Sequence, residues 1–183
     1  AQFEKAVADY CGARHAVAVC NGTAGLHLAA LAAGLEPEQI GWTSAITFVA
    51  SANCIRLCGA QADFVDIDPE TVNLSLTALE EKFKSAAAAG RLPRVLIPVH
   101  FAGQSCPMAE ISELARRYDC QIIEDACHAL GGSYRGEKIG CCRYSDLTVF
   151  SFHPVKSITT AEGGMILTNS DELAERLRRL RHN

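Results

Sequence analysis

Three stretches of this chain carry side chains whose types and spacing can do chemistry. The first is Ser151-Phe152-His153-Pro154-Val155-Lys156, followed closely by Thr159-Thr160-Ala161-Glu162-Gly163-Gly164. Most lysines are solvated surface residues. In a loop of hydroxyls and glycines, Lys156 can equally be a Schiff-base lysine, whose amine must lie beside a carbonyl and be partly neutral. The second stretch is Glu124-Asp125-Ala126-Cys127-His128. Asp125 there can cap a helix, ligate a metal, or pair with a pyridinium nitrogen and keep that ring protonated. A metal would need more ligands nearby, and only His128 offers itself. The third stretch is Asn21-Gly22-Thr23-Ala24-Gly25. Small residues and a hydroxyl at a helix N-terminus present free N–H groups and the positive dipole end to a phosphate. Asn21 or Thr23 can also be a plain helix cap, and the spacing matches neither a Walker loop nor a dinucleotide fingerprint.

The elements that must position these residues follow from the apolar pattern. Val- and Ile-rich runs predict strands at 15–20, near Trp42, and at 62–65, 94–99, 121–124, 147–152 and 165–168. Helical patterns over 3–10, 23–33, 48–58, 77–89 and 108–118 alternate with them, and the chain closes on a further helix. That alternation predicts one α/β domain, a mostly parallel sheet covered by helices on both faces. Ligands of such sheets bind outside the carboxyl ends of the strands, and each chemical stretch follows a strand. A phosphate cradle, an acid and a lysine in that order are what pyridoxal 5'-phosphate needs. Phe48 adds an aromatic ring that can stack on a cofactor or fill a core.

Composition narrows the classes. With 183 residues, 49% apolar and 21% charged, the chain reads as a globular domain with a sizeable core. A net charge of −4 gives no electrostatic basis for binding nucleic acid or anionic membrane. The basic run Arg176, Arg178, Arg179 and Arg181 shares its helix with Asp171, Glu172 and Glu175, as a solvated face does. Nine cysteines, an odd number with no Cys-x-x-Cys pair, argue against a secreted disulfide scaffold and for a reducing compartment, the cytoplasm. Cys54 and Cys58 are spaced as two small buried hydrophobes on one helix face rather than a zinc half-site. No apolar run reaches the roughly 18–20 residues needed to span a bilayer. The absent initiator Met and the uncapped charged stretch at 180–183 make both ends read as cuts.

Taken together, N-G-T-A-G-L-H, T-F-V-A-S-A-N, D-F-V-D-I-D, E-D-A-C-H-A-L-G and F-S-F-H-P-V-K-S-I-T-T-A-E-G-G-M resemble the DegT/DnrJ/StrS family of sugar-nucleotide aminotransferases, in order and along the whole chain. The resemblance implies the large domain of fold type I, a mixed seven-stranded sheet, with a small C-terminal domain beyond this chain and a homodimeric assembly. It makes Lys156 the cofactor-binding catalytic lysine, Asp125 the pyridinium partner, and His128 the residue packed beside the ring. Thr23 and Ala24 become the phosphate cradle, Ser151 a phosphate-contacting hydroxyl, and Phe48 the stacking residue. It implies an amino group passed from L-glutamate to the ketone of a nucleotide sugar. W-T-S-A-I-T-F and V-H-F-A-G-Q-S-C look most like enzymes aminating C4 of a UDP-linked 4-keto-6-deoxy-N-acetylhexosamine on the pseudaminic acid route. A 4-amino-4-deoxy-arabinose type is close. Ala45 and Cys127 depart from the family's usual residues without touching this chemistry. Two other readings are a dehydratase, whose relatives carry His in place of the lysine, against which Lys156 speaks, and a non-catalytic regulatory relative, which loss of Lys156 or Asp125 would favour; both residues are present.

Overall fold

The computed structural model describes residues 2–182. The seven main strands are β1 (His15–Val19), β2 (Ile40–Ser44), β3 (Gln61–Val65), β4 (Val95–Ile97), β5 (Gln121–Asp125), β8 (Leu147–Ser151) and β9 (Gly164–Thr168), with a hairpin of β6 (Ser133–Tyr134) and β7 (Glu137–Lys138) before β8. Among the described residues, α1 (Gln2–Cys11) precedes β1, α2 (Gly22–Ala32), α3 (Ala50–Leu57), α4 (Leu76–Ala88) and α5 (Met108–Arg117) connect strands, and α6 (Asp171–His182) follows β9. Side-chain caps fix where α2 and α4 begin, Asn21 Oδ1 accepting from the Ala24 N–H and Ser75 Oγ from the Ala78 N–H.

The strands pair in the order β1-β9-β8-β5-β4-β2-β3. β8, β5, β4, β2 and β3 are mutually parallel, and β9 runs antiparallel between β1 and β8. Six strands therefore end on one edge of the sheet, where β9 begins. Register aligns Val19 and Ser151 with Gly164 and sets Asp125 against Val149, so the three chemical stretches converge there.

Strand alternation divides the side chains between two faces. Val17, Ile97, Ile123, Leu147, Val149 and Ile166 pack under α2, α3 and α6. On the other face, Leu96 and Ile122 pack with Leu79, Phe83 and Ile111 of α4 and α5, and Phe150, Met165 and Leu167 with Val7 and Ala8 of α1. Asp125 and Ser151 keep the parity of Ile123 and Val149, so they emerge on the α2/α3 side; Glu124 and Thr148 emerge on the opposite side.

Boundaries differ from the sequence pattern for physical reasons. The run at 94–99 forms a ladder only over Val95–Ile97, because Pro98 has no N–H; Val99 rejoins by a single bridge to Asp125. The helix expected over 48–58 begins at Ala50, which leaves Phe48 ahead of it, in the connection from β2. The β6–β7 hairpin escapes the pattern because each strand is two residues long. Its signal is Arg135-Gly136, both at positive φ, the conformation of a tight hairpin turn. All nine thiols are free, and Cys54 and Cys58 lie in the core where α3 meets α2.

Candidate active site

The converging strand ends enclose a cavity of about 550 Å³, a size suited to a cofactor. Its walls include Thr23, Phe48, Asp125, His128, Ser151 and Lys156, six of the seven residues singled out above.

Asp125 closes β5 and is nearly buried. No helix starts after it, so the capping role is excluded. Ser51 Oγ, in the first turn of α3, donates to its Oδ2 at 2.6 Å, and the Cys127 N–H donates to Oδ1 at 3.2 Å. Both carboxylate oxygens are thus anchored while the group still faces the cavity. Burial first, then the Asp125 charge and hydrogen bond, push the Cys127 thiol well above its ordinary value, so it stays protonated and unreactive. Burial and then the Lys156 ammonium hold His128 below its ordinary value, against the pull of Asp125, and favour a neutral ring.

The phosphate-type corner forms where α2 starts beside β8 and β9. First-turn N–H groups have no intrahelical acceptor. Asn21 Oδ1 takes that of Ala24 at 2.8 Å, which leaves those of Gly22 and Thr23, two cavity-lining residues, beside Ser151. Ala24 itself stands one step behind the wall. Close approach dictates two glycines: a Cβ on Gly22 would meet Cys127 Sγ and Ser151 Cβ at 3.0 Å, and one on Gly164 would meet the Asn21 carbonyl oxygen at 2.5 Å.

Lys156 sits on the loop between β8 and β9. Its root is closed around buried Phe152: Phe152 N–H donates to the Gly163 carbonyl at 2.8 Å, and Thr159 Oγ1 to the Phe152 carbonyl at 2.9 Å. The Lys156 N–H donates to the His153 carbonyl, tightening the turn that carries the amine. His153 and Glu162, also on this loop, add polar groups to the cavity wall.

Behind the floor, on the opposite sheet face, lies an ionisable group that sequence reasoning missed. Glu124 is buried and accepts from His100 Nε2 at 2.7 Å, from Thr148 Oγ1 at 3.0 Å and from Ser145 Oγ. Burial alone would raise its pKa, but these hydrogen bonds and the His100 ring hold it below the ordinary value. The Cys106 N–H donates to His100 Nδ1 at 3.0 Å, so that nitrogen keeps its lone pair and the ring stays neutral, although the carboxylate beside it favours protonation. His100 follows β4 and lines the cavity, so the strand-end rule applied to 94–99 could have found it. Ser51 could have been found only by its place three residues after Phe48 on an otherwise apolar helix face.

A seven-stranded mixed sheet that gathers a lysine, an acid and a helix N-terminus at one edge is the large-domain architecture of pyridoxal-phosphate-dependent transferases. The chain belongs to the DegT/DnrJ/EryC1/StrS aminotransferase family, whose model matches residues 1–183, a family of pyridoxal-phosphate enzymes. It is 47% identical over 180 residues to the GDP-perosamine synthase of Caulobacter vibrioides, covering 98% of this chain and 46% of that protein. It is 41% identical over 181 residues to the UDP-4-amino-4,6-dideoxy-N-acetyl-beta-L-altrosamine transaminase of Campylobacter jejuni, covering 98% and 46%. Among solved structures, a DegT/DnrJ/EryC1/StrS aminotransferase from Brucella abortus superposes with a TM-score of 0.91 at 34% identity, covering 97% of this chain and 48% of that one. The chain spans about half the length of the curated relatives it matches. No helix among the described residues is long and apolar enough to cross a membrane.

Proposed function

We propose that this chain is the cofactor-binding part of a transaminase that aminates the ketone of a nucleotide-linked sugar. The observation that carries the reading is the meeting of Lys156, Asp125 and the α2 N-terminus in one cavity. The residues fit the cofactor. The Gly22 and Thr23 amides and Ser151 Oγ receive its phosphate at the positive end of α2, whereas Ala24, its N–H taken by Asn21 Oδ1, drops out of the expected cradle. Asp125 pairs with the ring nitrogen, Phe48 stacks on the ring, and His128 packs beside it as a neutral imidazole. When bound, the cofactor carries the amino group between donor and acceptor and takes up the electron pair of the broken C–H bond. Lys156 holds the cofactor in the resting protein. Once displaced, its amine removes a proton from the reacting carbon and returns it to the cofactor, and in the second half-reaction does the reverse. With L-glutamate as donor, the exchange of amino group and ketone yields 2-oxoglutarate and an amino sugar, with no oxidant required.

For the acceptor, the W-T-S-A-I-T-F and V-H-F-A-G-Q-S-C stretches and the likeness to the altrosamine transaminase support a UDP-linked 4-keto-6-deoxy-N-acetylhexosamine. A second reading, a GDP-linked keto sugar, is favoured by the higher identity to GDP-perosamine synthase. The protein works as a homodimer in this reading, and the exposed apolar residues Ile46, Phe48, Val49, Val155 and Ile158 support a partner over the cavity mouth. The test is to load the complete protein with pyridoxal phosphate, add L-glutamate, and offer the UDP- and GDP-linked 4-keto sugars separately. Glutamate-dependent bleaching of the cofactor band, restored by one of the two sugars, is expected. No restoration by any nucleotide-linked keto sugar would refute the reading.

A further inference from the structure

Ser51 is fully buried, and its hydroxyl sits at a junction. Oγ lies 2.6 Å from Asp125 Oδ2, 2.7 Å from Thr47 Oγ1 and 3.4 Å from the Phe48 carbonyl. A serine hydroxyl has one proton, and the carboxylate is the closest acceptor and the charged one, so the proton goes to Asp125. Thr47 is then left to donate, either to Ser51 Oγ or to the Phe48 carbonyl at 3.1 Å. The Ser51 N–H also donates to the Phe48 carbonyl at 3.2 Å. One residue therefore fixes the floor carboxylate on β5 and the turn that presents Phe48 at the rim. On the other side of Asp125, the anchors come from Cys127 alone among the described residues: its N–H donates to Oδ1 at 3.2 Å, a longer bond, and its thiol is a weak donor. Without Ser51 the carboxylate keeps only these weaker anchors and can turn about its Cβ–Cγ bond.

We propose that Ser51 is a positioning residue, its hydroxyl locking the Asp125 carboxylate toward the cavity and tying it to the Thr47–Phe48 turn. The inference rests on the reading of Asp125 as partner of the cofactor's ring nitrogen. It concerns how that carboxylate is aimed, so it is read in cofactor affinity and in the pH dependence of the bound cofactor's absorbance rather than in turnover alone.

The experiment uses the complete protein and four variants: Ser51→Ala, Ser51→Thr, Asp125→Asn, and the double variant Ser51→Ala/Asp125→Asn. Pyridoxal phosphate affinity is measured by equilibrium dialysis, and the visible spectrum of the loaded protein is titrated with pH. Ser51→Ala should weaken affinity roughly tenfold, the scale of one hydrogen bond to a charged group, and shift the titration midpoint. Ser51→Thr, which keeps the hydroxyl, should restore both. The double variant should be no worse than Asp125→Asn, because the serine acts through the acid. Thermal melting of the unloaded proteins separates this from lost packing. Should Ser51→Ala not accumulate, Ser51→Cys, close in volume but a poor donor, replaces it. If Asp125→Asn is impaired while Ser51→Ala matches wild type, or if the two losses add, the role of Ser51 is overturned and that of Asp125 stands. If Asp125→Asn itself binds and titrates like wild type, the reading of Asp125 falls instead.

Discussion

The floor and the rim of the cavity are built in opposite ways. On the floor, Asp125 and Ser51 are 4% and 0% exposed, and every polar group is tied to a strand end or helix start by named hydrogen bonds. At the rim, Phe48 and Val155 are 67% and 76% exposed, and Lys156 rides a loop held mainly at its root. The floor is preorganised by the sheet and needs only this chain. The rim presents apolar surface to solvent, and in the proposed homodimer its final geometry depends on the partner. In the proposed reading, electrostatic recognition belongs to the floor, and the group that moves protons to the rim.

The largest effect should come from the rim. Lys156→Ala should lower transamination by at least about 10⁴-fold, since it removes both the covalent anchor and the proton carrier, while circular dichroism and melting stay near wild type because the side chain lines the cavity and belongs to none of the apolar cores. A stability loss comparable to a floor substitution would erase the distinction.

Next is the network under the floor. Removing the shared acceptor, as in Glu124→Ala, should cost about 3 kcal/mol in chemical denaturation, since His100 Nε2, Ser145 Oγ and Thr148 Oγ1 all lose their partner. The pH dependence follows from the lowered pKa of Glu124. A carboxyl depressed in the folded state contributes stability above its unfolded value, and that contribution is lost as pH falls through the folded one. Wild type should therefore weaken as pH drops below 4.5, the group's ordinary value, and Glu124→Gln should show a flatter acid limb in pH-dependent melting. An unchanged limb would place the acid sensitivity elsewhere.

Asp125→Asn should slow the proton-transfer half-reaction about 10²–10³-fold, the scale of losing one preorganised charge partner, as read by stopped-flow absorbance with L-glutamate. The smallest effect belongs to the exposed rim. Phe48→Ala should weaken cofactor binding by only about two- to tenfold, the worth of one aromatic contact, and a far larger loss by dialysis would make Phe48 part of the rigid floor.

Much of this division was legible in the residues. Val- and Ile-rich runs leading to Asn21, Asp125 and Ser151 announced a buried sheet and its functional edge, because period and strand-end rules act locally. Strand direction was not legible: the 165–168 run is apolar on both faces, as a parallel or an antiparallel central strand would be, and only pairing between β1 and β8 makes β9 run backwards. Ser51 and Glu124 were hidden for another reason. Their roles depend on contacts with residues 74 and 24 positions away, which no local pattern encodes.

The most direct test of the central claim is to load the complete protein with pyridoxal phosphate, reduce it with borohydride, and map the attached mass by peptide mass spectrometry. The account predicts stoichiometric attachment at Lys156 and at no other lysine. Attachment at Lys138 or any other lysine, or no attachment in a folded protein that retains the cofactor, would contradict it.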